Sequence, residues 1–166
     1  MFYSNIVEHD IANGEGIRTS LFVSGCQFHC PDCFNPETWD FGYGTPYTQD
    51  TEAHILSTLQ SHYVNGLSIL GGDPLWQDEE DIEQLTQLVK QVKLIEKTIW
   101  IWSGFAWEQL PSLSASKRNL IKLCNVMIDG LYNKSLRDLR LKWRGSSNQR
   151  VIDIQQSIKE GKVIEI

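Results

Sequence analysis

The chain has 166 residues, 41% hydrophobic and 22% charged, with a formal net charge of −6 and a pI near 5.2. This length suits one domain with a proper core, residues 1–166, and the acidic balance argues against a general nucleic-acid-binding surface, which is normally basic. The N-terminal MFYSNIVEHDIANGEG holds acids and no apolar signal-peptide core, and no apolar run nears the roughly 20 residues needed to cross a bilayer. A cytoplasmic protein with reduced thiols is therefore expected, with no membrane and no nucleic acid among its partners.

Arg18–Ser24 (RTSLFVS) reads as a first strand, and Thr51–Tyr63 as a helix with Ile55, Leu56, Leu59 and Tyr63 at helical spacing, capped by Thr48 or Asp50 and stopped by Asn65-Gly66. Leu67–Leu70 is a short strand running into Gly71-Gly72. Asp78–Lys93 is the clearest helix, with Ile82, Leu85, Leu88, Val89 and Val92 in one stripe, acids early and lysines late. Thr98–Trp102 and Asn125–Ile128 are further strands, separated by a helix over Ala115–Leu123. Gln149–Ile166 closes the chain as strand, short helical turn and strand. Strands alternating with helices imply βαβ units and a mostly parallel sheet. Ligands of such sheets sit at the carboxyl ends of the strands, where this chain places its glycine-containing polar turns.

The first such turn, SGCQFHCPDCFNPETWD, carries Cys26, Cys30 and Cys33 at C-x3-C-x2-C spacing. Three thiolates on one short loop suit an iron–sulfur cluster or zinc. With three protein ligands, a four-iron cluster keeps one iron open, as a substrate-binding site requires. A zinc site completed by His29, His9 or Cys124 is the alternative from spacing alone, and would make the chain a non-catalytic interaction module. Cys124 lies among apolar residues in LCNVMI and reads as a small buried hydrophobe.

C-x3-C-x2-C followed by Phe34, after a strand, resembles the radical S-adenosylmethionine (SAM) superfamily. HDIANGEGIRTSLFVSGC, Gly71-Gly72-Asp73-Pro74 and Trp143–Gln149 (WRGSSNQ) extend the resemblance over nearly the whole chain, and they are similar to the activating family of the anaerobic (class III) ribonucleoside-triphosphate reductase. The acid of the glycine motif is Asp73 where the superfamily often has Glu. Only Cys124 lies outside the main cysteine motif, whereas larger activases carry additional clusters.

The resemblance implies a partial (βα) barrel, since 166 residues cannot supply eight units. It implies a 4Fe–4S cluster on Cys26, Cys30 and Cys33, with SAM on the open iron. One electron through the cluster would cleave SAM to methionine and a 5′-deoxyadenosyl radical, which would take a hydrogen from a glycine of the reductase. A flavodoxin-type donor would supply the electron. Gly71, Gly72 and Asp73 would face the methionyl ammonium, and Asp32, Cys33 and Phe34 would run past the adenine. Ser103-Gly104, Asp129 and Arg18 are further ligand candidates. The rival within the superfamily is a radical SAM enzyme acting on a small molecule.

Overall fold

The computed structural model describes all residues, Met1–Ile166. Seven strands form one open sheet in the order β3-β1-β2-β4-β5-β6-β7. Its centre is parallel: β2 (Ile17–Val23), β4 (Val64–Gly71), β5 (Thr98–Trp102) and β6 (Val126–Asp129). β1 (Phe2–Asp10) pairs antiparallel with β2 and with the two-residue β3 (Thr45–Pro46), and β7 (Arg150–Asp153) pairs antiparallel with β6. The expected mostly parallel α/β sheet is present.

The helices start where local chemistry supplies caps. Thr48 and Thr51 form a reciprocal capping box at α1 (Gln49–Leu59). The Asp78 carboxylate accepts the Asp81 N–H at the start of α2 (Glu79–Leu94), which has three acids in its first turn and Lys93 in its last. Ser114 caps α3 (Ala115–Leu123), and Asp153 caps α4 (Ile154–Glu160), which ends on left-handed Gly161.

The parallel strands are added in sequence order on one side, so right-handed crossovers put α1, α2 and α3 on the same face. Ile55, Leu59, Leu85, Val89, Leu120 and Ile121 from these helices share one core with Leu21, Leu67, Ile69, Ile99, Ile101 and Met127 of the sheet. The opposite face carries Arg18, Ser20, Ser68, Trp100, Trp102 and Ile128, with Trp100 and Ile128 in a separate small cluster. A sheet with helices on one face only has its other face free for a ligand or a loop.

Three expectations change. β1 escaped the periodicity reading because two register shifts, between Tyr3 and Asn5 and between Val7 and Asp10, break its alternation. Asn65-Gly66, expected to stop a helix, lies inside β4; the Asn65 side-chain oxygen accepts the Ile17 N–H at 3.0 Å and helps to tie β4 to β2. The last strand is only an isolated bridge between Ile152 and Glu165. No helix is long and apolar enough to cross a membrane.

Candidate functional site

β2 delivers the chain to the cysteine loop, and the GGDP turn that follows β4 is bonded directly to it. Gly72 N–H donates to Val23 C=O at 2.7 Å, and Asp73 N–H to Gly25 C=O at 2.9 Å. Gly25 N–H in turn donates to Thr38 C=O at 2.7 Å, folding the far end of the loop back on its start. Glycine is required for this contact. Gly71 sits at φ +113°, and a Cβ on Gly72 would come within 2.7 Å of both the Gly25 and Thr38 carbonyl oxygens. The glycines therefore let two strand-end turns meet, while no protein donor reaches the Gly72 carbonyl.

The three thiols share this end of the sheet. Cys26 is buried, and Cys30 and Cys33 are half-buried and joined by a Cys33 N–H to Cys30 C=O turn at 3.1 Å. Burial pushes the Cys26 thiol up to about 11, and the nearby Asp73 carboxylate adds to the rise. Cys30 is raised by burial and then by Cys33. Nowhere are three Cys, His, Asp or Glu side chains already gathered to hold a metal ion, the loop cysteines included. Sulfur–metal bonds themselves close such geometry, because packing alone does not hold thiolates together.

The donor set fits an iron–sulfur cluster: three free, soft thiols on one irregular loop. Three of the four buried polar side-chain atoms without a partner, Ser24 Oγ, Trp39 Nε1 and Trp76 Nε1, belong to residues at or against this loop. Each such group costs roughly 1–3 kcal/mol, a cost that persists where a partner arrives from outside the chain. Of the alternative zinc ligands, two lie elsewhere, while His29 stands in the loop itself with neither ring nitrogen bonded to the protein. His29 packs on Trp39 with centroids 4.6 Å apart, and His9 stacks on Tyr63 near the amino end of β2. Cys124 precedes β6, at the opposite end of the parallel sheet, fully buried with its thiol raised to about 12 by burial.

The Asp73 carboxylate turns into the protein. It accepts Leu75 N–H at 2.8 Å, Gly104 N–H at 2.7 Å and the Ser103 hydroxyl at 2.9–3.0 Å. Burial raises it to about 6 against the pull of these donors. Ser103 and Gly104, expected to meet a ligand, instead join the β5 turn to the β4 turn through Asp73.

Asp129 is likewise saturated, by Trp107 N–H at 2.7 Å and by Arg150, which also grips Glu108 at 2.8 Å. Arg18, 1% exposed, lies at the amino end of β2, away from the cysteines. It donates to Ser68 Oγ and Leu67 C=O at 2.7 Å and to Thr98 Oγ1 at 2.9 Å, with its guanidinium 5.3 Å from the Trp100 ring centre. It is neither a ligand of the cysteine end nor a surface ion pair.

Within the loop, Asp32 pairs with Lys134 from the segment after β6, and Phe34 is 92% exposed. Sequence reasoning missed an aromatic triad: Phe28 of the loop packs edge-on against Trp76 at 5.3 Å and Phe105 at 4.9 Å, joining the turns after β2, β4 and β5. Each triad aromatic falls within five residues of a strand-end glycine, the only signal the sequence offers.

A family model described as a 4Fe-4S single cluster domain matches residues 12–152. The chain is 40% identical over 152 residues to the anaerobic ribonucleoside-triphosphate reductase-activating protein of Enterobacteria phage T4, covering 91% of this chain and 93% of that one. The chain belongs to this family of activating proteins. The Escherichia coli K12 protein of the same name is 40% identical over 154 residues, 91% of this chain and 97% of that protein, and the Pasteurella multocida protein 36% identical over 160 residues, 94% and 99%. The match within 12–152 takes in the cysteine loop, the GGDP turn and WRGSSNQ.

Proposed function

We propose that this chain is a radical SAM activase, one domain over residues 1–166, that acts in the cytoplasm on an anaerobic ribonucleoside-triphosphate reductase. Its open sheet, with helices on one face, serves as the partial (βα) barrel of that superfamily. The observation that carries this reading is the direct bonding of the three-thiol loop to the GGDP turn, Gly72 N–H to Val23 C=O and Asp73 N–H to Gly25 C=O. That contact puts a cluster-binding loop and an open backbone carbonyl side by side.

Cys26, Cys30 and Cys33 hold three irons of a 4Fe–4S cluster. When bound, the cluster supplies one electron to SAM, giving methionine and a 5′-deoxyadenosyl radical that takes a hydrogen atom from one glycine of the reductase. Gly71 and Gly72 present backbone to the methionyl ammonium of SAM. Asp73 fixes that turn through Leu75, Ser103 and Gly104, and its negative charge favours a cation close by. Asp32, the backbone at Cys33 and the exposed ring of Phe34 border the adenine. Phe28, Trp76 and Phe105 keep water from the loop's inner side. A flavodoxin-type protein delivers the electron.

The test is anaerobic reconstitution with iron, sulfide, SAM and dithionite, followed by EPR with the reductase present. Iron-bearing protein that cleaves SAM and raises a glycyl doublet on the reductase is expected. Colourless protein binding about one zinc, with no SAM cleavage, would sink the reading.

A further inference from the structure

The segment between β6 and β7 contains WRGSSNQ, whose side chains are spent on ordering their own loop. Gln149 Oε1 accepts Gly145 N–H at 2.9 Å, while its Nε2 donates to Gly130 C=O at 3.0 Å. Asn148 Nδ2 donates to Leu131 C=O at 2.8 Å, and Ser146 Oγ accepts Asn133 N–H at 3.1 Å. The Trp143 carbonyl accepts Trp102 Nε1–H at 2.8 Å, and its ring meets Trp100 edge-on at 4.8 Å. These bonds fix both ends of the loop, Ser147 N–H to Leu136 C=O at 2.9 Å braces its middle, and most residues from Asn133 to Lys142 are exposed.

That middle presents an unusual surface for this protein. Between Leu131 and Gln149 stand five cations, Lys134, Arg137, Arg140, Lys142 and Arg144, against the single acid Asp138, in a chain of net charge −6. Arg140 is held by Asp138 and Lys134 by Asp32, but Arg137 and Lys142 have no ion-pair partner. Leu139 is 85% exposed between them, and Leu136 is also exposed. The surface begins at the cysteine loop: a cleft of about 680 Å³ is lined by Pro31 of that loop and by Leu131, Tyr132 and Lys134.

We propose that the ordered loop 133–144 is the docking surface for the reductase, receiving a segment that presents acidic side chains around an apolar patch. The glycine-bearing loop of the same partner would then enter through the adjoining cleft. This rests on the reading that the reductase is the substrate. Charge complementarity selects an acidic partner surface. The exposed leucines beside the cations favour the reductase over an electron donor, because redox encounters bury little surface. An apolar side chain held out from a fixed frame is the kind of anchor that carries an interface.

The test uses reconstituted holoprotein of the double variant Arg137→Glu/Lys142→Glu and, separately, Leu139→Ala. Iron content and dithionite-driven SAM cleavage without the reductase stay at wild-type levels. Affinity for the reductase, measured anaerobically by interferometry, falls about tenfold or more in the charge variant, and this difference shrinks as salt screens the contact. Leu139→Ala weakens binding at every salt concentration. Unchanged affinity in both variants overturns the proposal. So does a charge variant activated normally by dithionite that fails only with reduced flavodoxin, which would assign the surface to the electron donor. Wild-type protein that cleaves SAM yet neither binds nor activates the reductase overturns the functional reading together with the docking surface.

Discussion

Replacing Arg18 by lysine separates a structural from a ligand-binding guanidinium. Arg18 is fully enclosed and reaches five acceptors: Ser68 Oγ, the Leu67, Thr98 and Glu15 carbonyls, and Thr98 Oγ1. They surround a planar fork that joins β2, β4 and β5 near their amino ends. A lysine ammonium is one point with three donors, so at least two of these acceptors lose their partner, and the contact with the Trp100 ring is lost as well. At roughly 1–3 kcal/mol for each stripped buried group, losing two partners means that Arg18→Lys should cost about 2–6 kcal/mol. For a domain of this size that lowers Tm by roughly 4–24 °C. The assay is urea unfolding of the cluster-free protein under anaerobic, reducing conditions, followed by circular dichroism. The control is Arg140→Lys, whose exposed, solvent-screened pairing with Asp138 should leave the unfolding curve at the wild-type position. Arg18→Lys unfolding like wild type would refute the reasoning. Intact stability with a selective loss of SAM affinity would return Arg18 to the ligand.

Alanine at Cys26, Cys30 or Cys33 should abolish the 4Fe–4S absorbance after reconstitution, whereas Cys124→Ala keeps the iron and loses only about 1 kcal/mol of stability for its buried sulfur. Gly72→Ala forces a Cβ against the Gly25 and Thr38 carbonyls and should part the GGDP turn from the cysteine loop, seen as reduced iron retention in a protein that still folds by circular dichroism. Asp10 is opposed by burial but held below the ordinary carboxylate range of 3.8 by Asn13 and the Ala12 and Asn13 N–H groups. A depressed folded value contributes stability that is present above 3.8 and lost as pH falls through the lower folded value. Asp10→Asn should therefore show a shallower loss of stability as pH falls below the ordinary value of 3.8, and an unchanged slope would contradict the assignment.

Much of the parallel framework was legible because its elements carry local signals. The stripe and caps of α2 and the apolar runs of β5 and β6 do not depend on distant residues. The cysteine loop and GGDP were legible as motifs for the same reason: ligand spacing and turn chemistry are properties of a few adjacent residues. β1 was not, because its bulges erase the alternation and pairing with β2 and β3 holds it extended.

Direction and partnership of side chains were decided only by the tertiary structure. Asp73, Asp129 and Arg18 look from sequence like groups awaiting a ligand. Folding brings donors from Gly104, Ser103, Trp107 and Arg150 to the two carboxylates, and it surrounds the guanidinium with acceptors from β4 and β5. Buried charge must be satisfied by whatever the fold places within about 3 Å, and those partners lie 21 to 80 residues away along the chain. The sequence by itself determined that three thiols and a glycine turn would stand at strand ends. The structure decided that the two are bonded to each other, and that WRGSSNQ frames a cationic loop beside them.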